Sequence, residues 1–282
     1  MPSSYSQILV HLDVSARAIE RLRLARELGG RHGAQVTALY AATPSLVELP
    51  YVSEIGPSVA ADMRAIDEGR VVRARAAFDD EQTKPGAPAA WAQVLESPVM
   101  GVFARQALHA DLLVLGQHNP GSALDEHVTA DFVEGVLALS GKPALVLPYI
   151  GAPKTLGGVV AVAWKPTRES ARAVAGAMPL LQGATQVHVI SWGEGSGADP
   201  SVEGARLDLN TWLKAKGVTP LWHRQSKEPE AVGELLLSLA FDLGADLLVM
   251  GCYGHSRARE WVLGGVSRTV LRSMTLPVLM AH

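Results

Sequence analysis

The sequence holds one cysteine, Cys252, among 282 residues, which excludes an internal disulfide and suits a reducing cytoplasm. Aromatic residues make up only 5%, so the core has to be built from Leu, Val, Ile and Ala. Basic charge is not in excess. The formal net charge of −3 lacks the electrostatic footprint of a dedicated binder of nucleic acid or of an anionic membrane. No apolar run approaches the roughly 18 residues of a spanning helix. The opening Met1-Pro2-Ser3-Ser4-Tyr5 has neither the basic nor the apolar stretch of a signal peptide. A soluble protein with neither nucleic acid nor membrane as partner is expected.

What is present is an ordinary globular α/β composition, with 48% hydrophobic and 19% charged residues. Length alone leaves one large or two medium domains open. An internal repeat favours two. Ala110-Asp111-Leu112-Leu113-Val114-Leu115-Gly116 recurs as Ala245-Asp246-Leu247-Leu248-Val249-Met250-Gly251, and Pro143-Ala144-Leu145-Val146 recurs as Pro277-Val278-Leu279-Met280. Ile8 to Asp13 lines up with Val159 to Trp164 at a larger offset, so the first half carries about 16 extra residues, placed within 45–90.

Each half reads as five short strands alternating with helices. Strands are expected near 7–12, 35–41, 91–95, 111–116 and 144–149, then near 158–163, 186–191, 219–224, 246–251 and 277–281. These Val- and Leu-rich runs lack polar alternation, as strands covered on both faces do. Ala18, Leu22, Ala25 and Leu28 keep helical spacing after Ser15, and Ala171, Val174, Ala175 and Met178 do so after Thr167. The fold class is therefore α/β: two tandem doubly wound domains, each a five-stranded, mainly parallel sheet with helices on both faces. The domains are read as 1–150 and 151–282, joined through Pro148 to Gly158. One continuous ten-stranded sheet is the weaker alternative, because it leaves the restart of the pattern unexplained.

The most specific stretch is Gly251-Cys252-Tyr253-Gly254, nine further residues, then Gly264-Gly265-Val266-Ser267. Gly251 ends a strand and Gly264-Gly265 opens a helix, which puts the loop at the carboxyl edge of a parallel sheet, where such folds bind ligands. Backbone N–H groups in such a loop can approach phosphate oxygens, and the helix N-terminus adds unpaired donors. A nucleotide phosphate chain is the natural guest.

With that loop, the element order and the duplication in view, the sequence resembles the universal stress protein family in its tandem, Rossmann-like form. The resemblance covers nearly the whole chain and implies a loop of the pattern G-x2-G-x9-G-[ST], which Gly251, Gly254 and Gly264 match. Gly265 stands where the Ser or Thr is expected, with Ser267 nearby. The family's acidic landmark at the end of the first strand is matched by Asp13; Trp164 replaces it in the second half. The first half keeps Gly116 but reads Gln117-His118-Asn119-Pro120-Gly121 where its loop should be. The resemblance thus implies adenine nucleotide, ATP with Mg²⁺, at Gly251, Gly254, His255, Ser256, Gly264, Gly265, Val266 and Ser267, with Asp13 and Gly116 as the first half's remnant.

Each residue has a plainer reading. Gly251 and Gly254 could serve a tight turn at positive φ, Gly264 and Gly265 could relieve packing, and Asp13 could favour a helix dipole. Trp164 could stack on a base or plug the pocket. The insertion, with Leu49-Pro50-Tyr51-Val52 and then Val59, Met63, Ile66 and Val71, could be a lid or a longer second helix packed on its own sheet. Cys252 reads as a small buried hydrophobe. The scattered histidines have no zinc-like spacing, so no metal site is expected.

No paired carboxylates, Ser/His/Asp set or Walker A lysine come together. A non-catalytic stress-response or sensing protein is the leading reading. A slow ATPase or nucleotide hydrolase is the alternative, and a ligand-free dimeric scaffold the second. The resemblance further implies that the last strands, Ala144 to Pro148 and Val278 to Ala281, mediate pairing of domains or of whole chains.

Overall fold

The computed structural model describes residues 3–48, 56–94, 96–122, 127–151, 155–192, 207–225, 230–252 and 265–282. The chain divides into two compact units, Tyr5–Lys142 and Pro143–His282, the second joined by the N-terminal serines. Ser3 N donates to Gln182 Oε1 at 2.6 Å.

In the N-terminal unit, β1 (Gln7–Leu12), β2 (Gln35–Tyr40), β3 (Ala89–Gln93) and β4 (Leu112–Gly116) form a parallel sheet in the order β3-β2-β1-β4. Its helices are α1 (Ala18–His32), the short α2 (Ser45–Glu48), α3 (Pro57–Gln82), α4 (Val99–Ala107) and α5 (Phe132–Ser140). The C-terminal unit holds β5 (Ala144–Leu147), β6 (Val159–Ala163), β7 (Gln186–Trp192), β8 (Pro220–Gln225), β9 (Leu247–Gly251) and β10 (Val278–Ala281), in the order β5-β10-β9-β6-β7-β8. Its helices are α6 (Arg168–Gly176), α7 (Met178–Gly183), α8 (Leu209–Ala215), α9 (Val232–Asp242) and α10 (Val266–Ser273). Among the described residues no helix is long and apolar enough to cross a membrane.

All ten strands lie where the apolar runs predict, and the sheets are mainly parallel. The strands nevertheless divide four and six. β5, counted with the first half in the sequence reading, pairs antiparallel with β10, Val146 opposite Val278. Both of these strands belong to the C-terminal unit.

The repeated Asp at the head of β4 and β9 has a structural cause. Asp111 Oδ2 accepts from Ser6 N at 2.7 Å and Gln7 N at 3.0 Å. Asp246 accepts from Gly157 N at 2.9 Å, Gly158 N at 3.0 Å and Val159 N at 3.2 Å. Each carboxylate ties the chain entering β1 or β6 to the amino end of the neighbouring strand, β4 or β9, on the edge opposite the strands' carboxyl ends. Charge-assisted bonds of this kind are the stronger ones. Asp246→Ala is expected to cost about 2 kcal/mol, read as a lower urea midpoint; a midpoint within error of the wild type would show the clamp to be dispensable.

Two helix starts differ. Thr167 caps α6 as expected, its Oγ1 accepting from Ser170 N. Ser15 does not cap α1, whose N-cap is Arg17 with no side-chain capping bond, its guanidinium pairing with Glu20 instead. Ser15 N donates to Asp13 Oδ1 at 2.8 Å. The insertion contains α2 and α3. Only the C-terminal third of α3 is buried, through Ala74, Phe78 and Glu81, while Val59 and Ile66 are exposed. The stretch Leu49 to Val52 lies outside the described residues.

Candidate functional site

Asp13 leaves the carboxyl end of β1 and is buried. The buried stripe of α1 carries Ala18, Leu22, Ala25 and Leu28, and also Arg21 and Arg26. Arg21 reaches back across the sheet edge. Its Nη2 donates to Asp13 Oδ2 at 2.7 Å and its Nε to the His11 carbonyl at 3.0 Å. Both side chains of this ion pair are 4% exposed. Burial pushes the Asp13 carboxyl upward, but the Arg21 guanidinium, followed by His11 and the Ser15 N–H, outweighs it and holds the group below the usual carboxylate range.

Gly116 ends β4 beside the same guanidinium. A Cβ added there would lie 3.2 Å from Arg21 Cζ and closer still to Nη1, so this glycine makes room for an internal cation. Between His11, Asp13, Arg21, Gly116, Thr129 and Phe132 remains a cavity of about 20 Å³, room for a water molecule. His11 completes the cluster. Its Nε2 donates to the Ala41 carbonyl at 2.8 Å, and its ring packs against Phe132 and Phe103. Desolvation drives its pKa down to about 4, with Arg21 acting in the same direction and Asp13 opposing.

The carboxyl edge of the C-terminal unit is built differently. Gly251 has no positive φ; what it needs is the absence of a side chain, because a Cβ would lie 2.5 Å from Ser170 N and 2.7 Å from Glu169 C. The first turn of α6 therefore sits directly against the end of β9. Glu169 is buried there and paired with the exposed Arg168. Burial pushes its carboxyl up, and the Arg168 contact, its own backbone N–H and Thr167 hold it low. Trp164, at the position equivalent to Asp13, is half-buried, and its N donates to the Ile190 carbonyl at 2.8 Å. Cys252 is buried, its N donating to the Ala281 carbonyl at 3.0 Å. Gly265 is extended ahead of α10 and its carbonyl accepts from Arg268 N at 2.9 Å. Gly265 and Val266 are half-exposed, whereas Ser267 is buried.

Of the residues singled out by the sequence, Asp13 and Gly116 come together around Arg21, and Gly251, Gly265, Val266 and Ser267 lie on the loop edge of the other unit. Gly254, His255, Ser256 and Gly264 fall outside the described residues. Sequence reasoning missed Arg21. The signal was available: an arginine at a stripe position of an amphipathic helix is buried, and a buried arginine has a partner.

A sequence model of the universal stress protein family matches residues 159–282. These residues are a universal stress protein domain. The solved structure of a universal stress protein from Archaeoglobus fulgidus is similar over 98% of this chain and 95% of its own, with a TM-score of 0.66 and 16% identity. A functionally unknown protein from Pseudomonas aeruginosa is similar over 98% of this chain and 92% of its own, with a TM-score of 0.56 and 16% identity. At such identities the likeness shows the fold, and it extends the two-domain Rossmann-like form over the N-terminal unit. No curated protein matches the sequence. The universal stress protein domain includes the glycine loop, whereas Asp13 and Arg21 lie ahead of the matched residues.

Proposed function

We propose that the protein is a non-catalytic stress-response or sensing protein of the cytoplasm that takes one adenine nucleotide, ATP with Mg²⁺, in its universal stress protein domain and none in its N-terminal unit. The observation that carries this reading is the asymmetry of the two carboxyl edges. In the N-terminal unit the acidic landmark already holds a guanidinium, and Gly116 faces that same group. In the universal stress protein domain the strand end, Gly251, and the helix start, Gly265-Val266, stay half-exposed on either side of the glycine loop. A loop and helix start of this kind suit phosphate.

The non-catalytic part is supported by where the carboxylates sit. Hydrolysis needs a Mg²⁺ ligand and a group that positions water. Asp246 is tied up at the opposite edge, and Glu169 is engaged by Arg168.

Mass spectrometry of the denatured protein as purified, followed by calorimetry with ATP and Mg²⁺, tests the proposal. One nucleotide per chain is expected. Gly254→Val should weaken ATP by more than about tenfold while the far-UV circular dichroism stays unchanged. Two nucleotides per chain, no heat with ATP, or unaltered affinity in Gly254→Val would each overturn it. Phosphate release above the Gly254→Val background would replace the sensing reading with the ATPase.

A further inference from the structure

Helix α3 is longer than its own unit requires. Its 26 residues span about 39 Å, whereas the six-residue strands β1 and β2 span about 20 Å. Burial reaches only its C-terminal third, through Ala74, Phe78 and Glu81. The rest carries apolar side chains that the unit leaves uncovered: Val59 is 44%, Ile66 45% and Val72 66% exposed. Val59, Asp62, Ile66, Gly69, Arg73 and Ala76 follow one another at alternating spacings of three and four residues, which is the a/d seam of a coiled coil. All of them are exposed except Gly69, which is half-buried, and Val72 flanks the line. At 100° per residue the seam lies about 120° round the helix from the buried stripe. A second helix laid along it would sit beside α3, and not between α3 and its own unit.

The seam is complementary to itself when reversed. Two copies of α3 set antiparallel about a two-fold axis between Ile66 and Gly69 put every a position in a layer with a d position of the other copy. Ile66 then faces Gly69, Val59 faces Ala76 and Asp62 faces Arg73, and symmetry gives each layer twice. The space over Gly69 suits an incoming Ile66: a Cβ added there would meet only the flexible Arg73 side chain, Nη1 at 3.6 Å. Other acids of the helix are settled within the chain, Asp67 with Arg70, Asp79 with Arg75 and Asp80 with Lys84. Asp62 and Arg73, the two opposite charges near the middle of the seam, form no ion pair among the described residues. Eleven positions separate them, about 16 Å along the helix, too far to meet in one chain. We infer that two chains pair through antiparallel α3 helices, with Ile66 seated over Gly69 and Asp62 bridged to Arg73 across the interface.

The charges fix the orientation. A parallel pair would stack Asp62 on Asp62 and Arg73 on Arg73, like charges in both layers, whereas the antiparallel pair neutralises all four. Polar positions inside a seam set register at a cost in stability, and the seam from Val59 to Ala76 is only about 26 Å long. The pair is therefore a reversible one, of the small, transient class of interface. Glycine in a helix interior is unfavourable in a lone chain; a second helix approaching closely at Gly69 gives the residue a use. The strand pairing implied by the family resemblance leaves this surface free for the task, since β10 is hydrogen-bonded on both sides, to β5 and to β9, and offers no open edge to another chain.

Sedimentation equilibrium of the full-length chain between about 1 and 100 μM tests the interface. A monomer–dimer equilibrium is expected, weakening as NaCl rises from about 0.05 to 0.5 M because the cross-pairs are screened. Asp62→Arg and Arg73→Asp, both at exposed positions, should each weaken the dimer by more than about tenfold, since each sets like charges together in two layers. An equimolar mixture of the two single variants should dimerise again as one chain of each, and the double variant should pair with itself to within about threefold of the wild type. Far-UV circular dichroism and urea midpoints, unchanged in every variant, separate loss of pairing from loss of fold. A wild type monomeric throughout the range, a dimer unmoved by either single variant, or single variants that stay monomeric when mixed would each overturn the inference. None of these outcomes depends on nucleotide binding.

Discussion

Replacing Arg21 by Met is expected to destabilise the N-terminal unit by about 3–5 kcal/mol. The substitution keeps most of the apolar stem in the stripe of α1 but removes the cation from Asp13, which is almost fully excluded from solvent. It also removes the donor to the His11 carbonyl. A carboxylate left alone at such a position must either stay charged without a partner or take up a proton, and its pKa rises. The loss is therefore largely the penalty of an orphaned charge, and the native pair itself adds far less. A double variant separates the two. Asp13→Leu combined with Arg21→Met removes both charges and should be close to neutral or more stable than the wild type, giving a large coupling in a double-mutant cycle. Urea unfolding with hydrogen exchange on residues 5–142 measures both. A single variant losing less than about 1 kcal/mol, the range of an exposed pair, would mean that the ion pair is not the keystone of this edge.

That edge shows where sequence reading reaches and where it stops. The ten strands were legible because a buried parallel strand is a run of Val and Leu whatever its surroundings. The duplication was legible because Asp111 and Asp246 perform the same local task, each holding the backbone that enters a neighbouring strand, β1 or β6. The partner of β5 was marked only by the family resemblance, which singles out the last strand of each half: in its own residues a four-residue apolar strand carries no mark of which neighbour accepts its hydrogen bonds, and pairing with β10 spans more than a hundred residues. The state of Asp13 was hidden for a similar reason. Its neighbour in space is eight positions away on the next helix, and only the three-dimensional crossing of α1 over the carboxyl edge shows that the carboxylate is already taken. Gly116 and Gly251 match in the repeat, yet one gives way to a guanidinium and the other to the first turn of a helix. A glycine records that something comes close and leaves its identity open.

The second large effect concerns acid. His11 is buried and neutral in the folded protein, with its pKa driven from 6.5 to about 4. In the unfolded chain it takes up a proton near its ordinary value. Between those two values the unfolded state binds the extra proton, so stability is complete above 6.5 and falls as the pH drops towards 4. At about 1.4 kcal/mol per pH unit this amounts to about 3 kcal/mol. Asp13 acts in a separate window: its pKa is depressed, so its contribution is lost only as the pH falls below the carboxylate's ordinary value of 3.8. His32, which also titrates low, adds to the slope in the upper window and is untouched by changes at position 11. His11→Gln keeps a donor for the Ala41 carbonyl and removes the titration. Urea midpoints of wild type and variant at pH 7, 5.5 and 4.5 should therefore converge as the pH falls, because the wild type loses stability that the variant does not. Parallel curves would place the acid sensitivity of the unit elsewhere. If they converge, His11 sets a floor on the pH at which the Asp13–Arg21 pair stays sealed between α1 and the sheet, since the Nδ1–H gained on protonation, between Phe103 and Phe132, faces the Asp13 carboxylate at 3.8 Å, beyond hydrogen-bond reach.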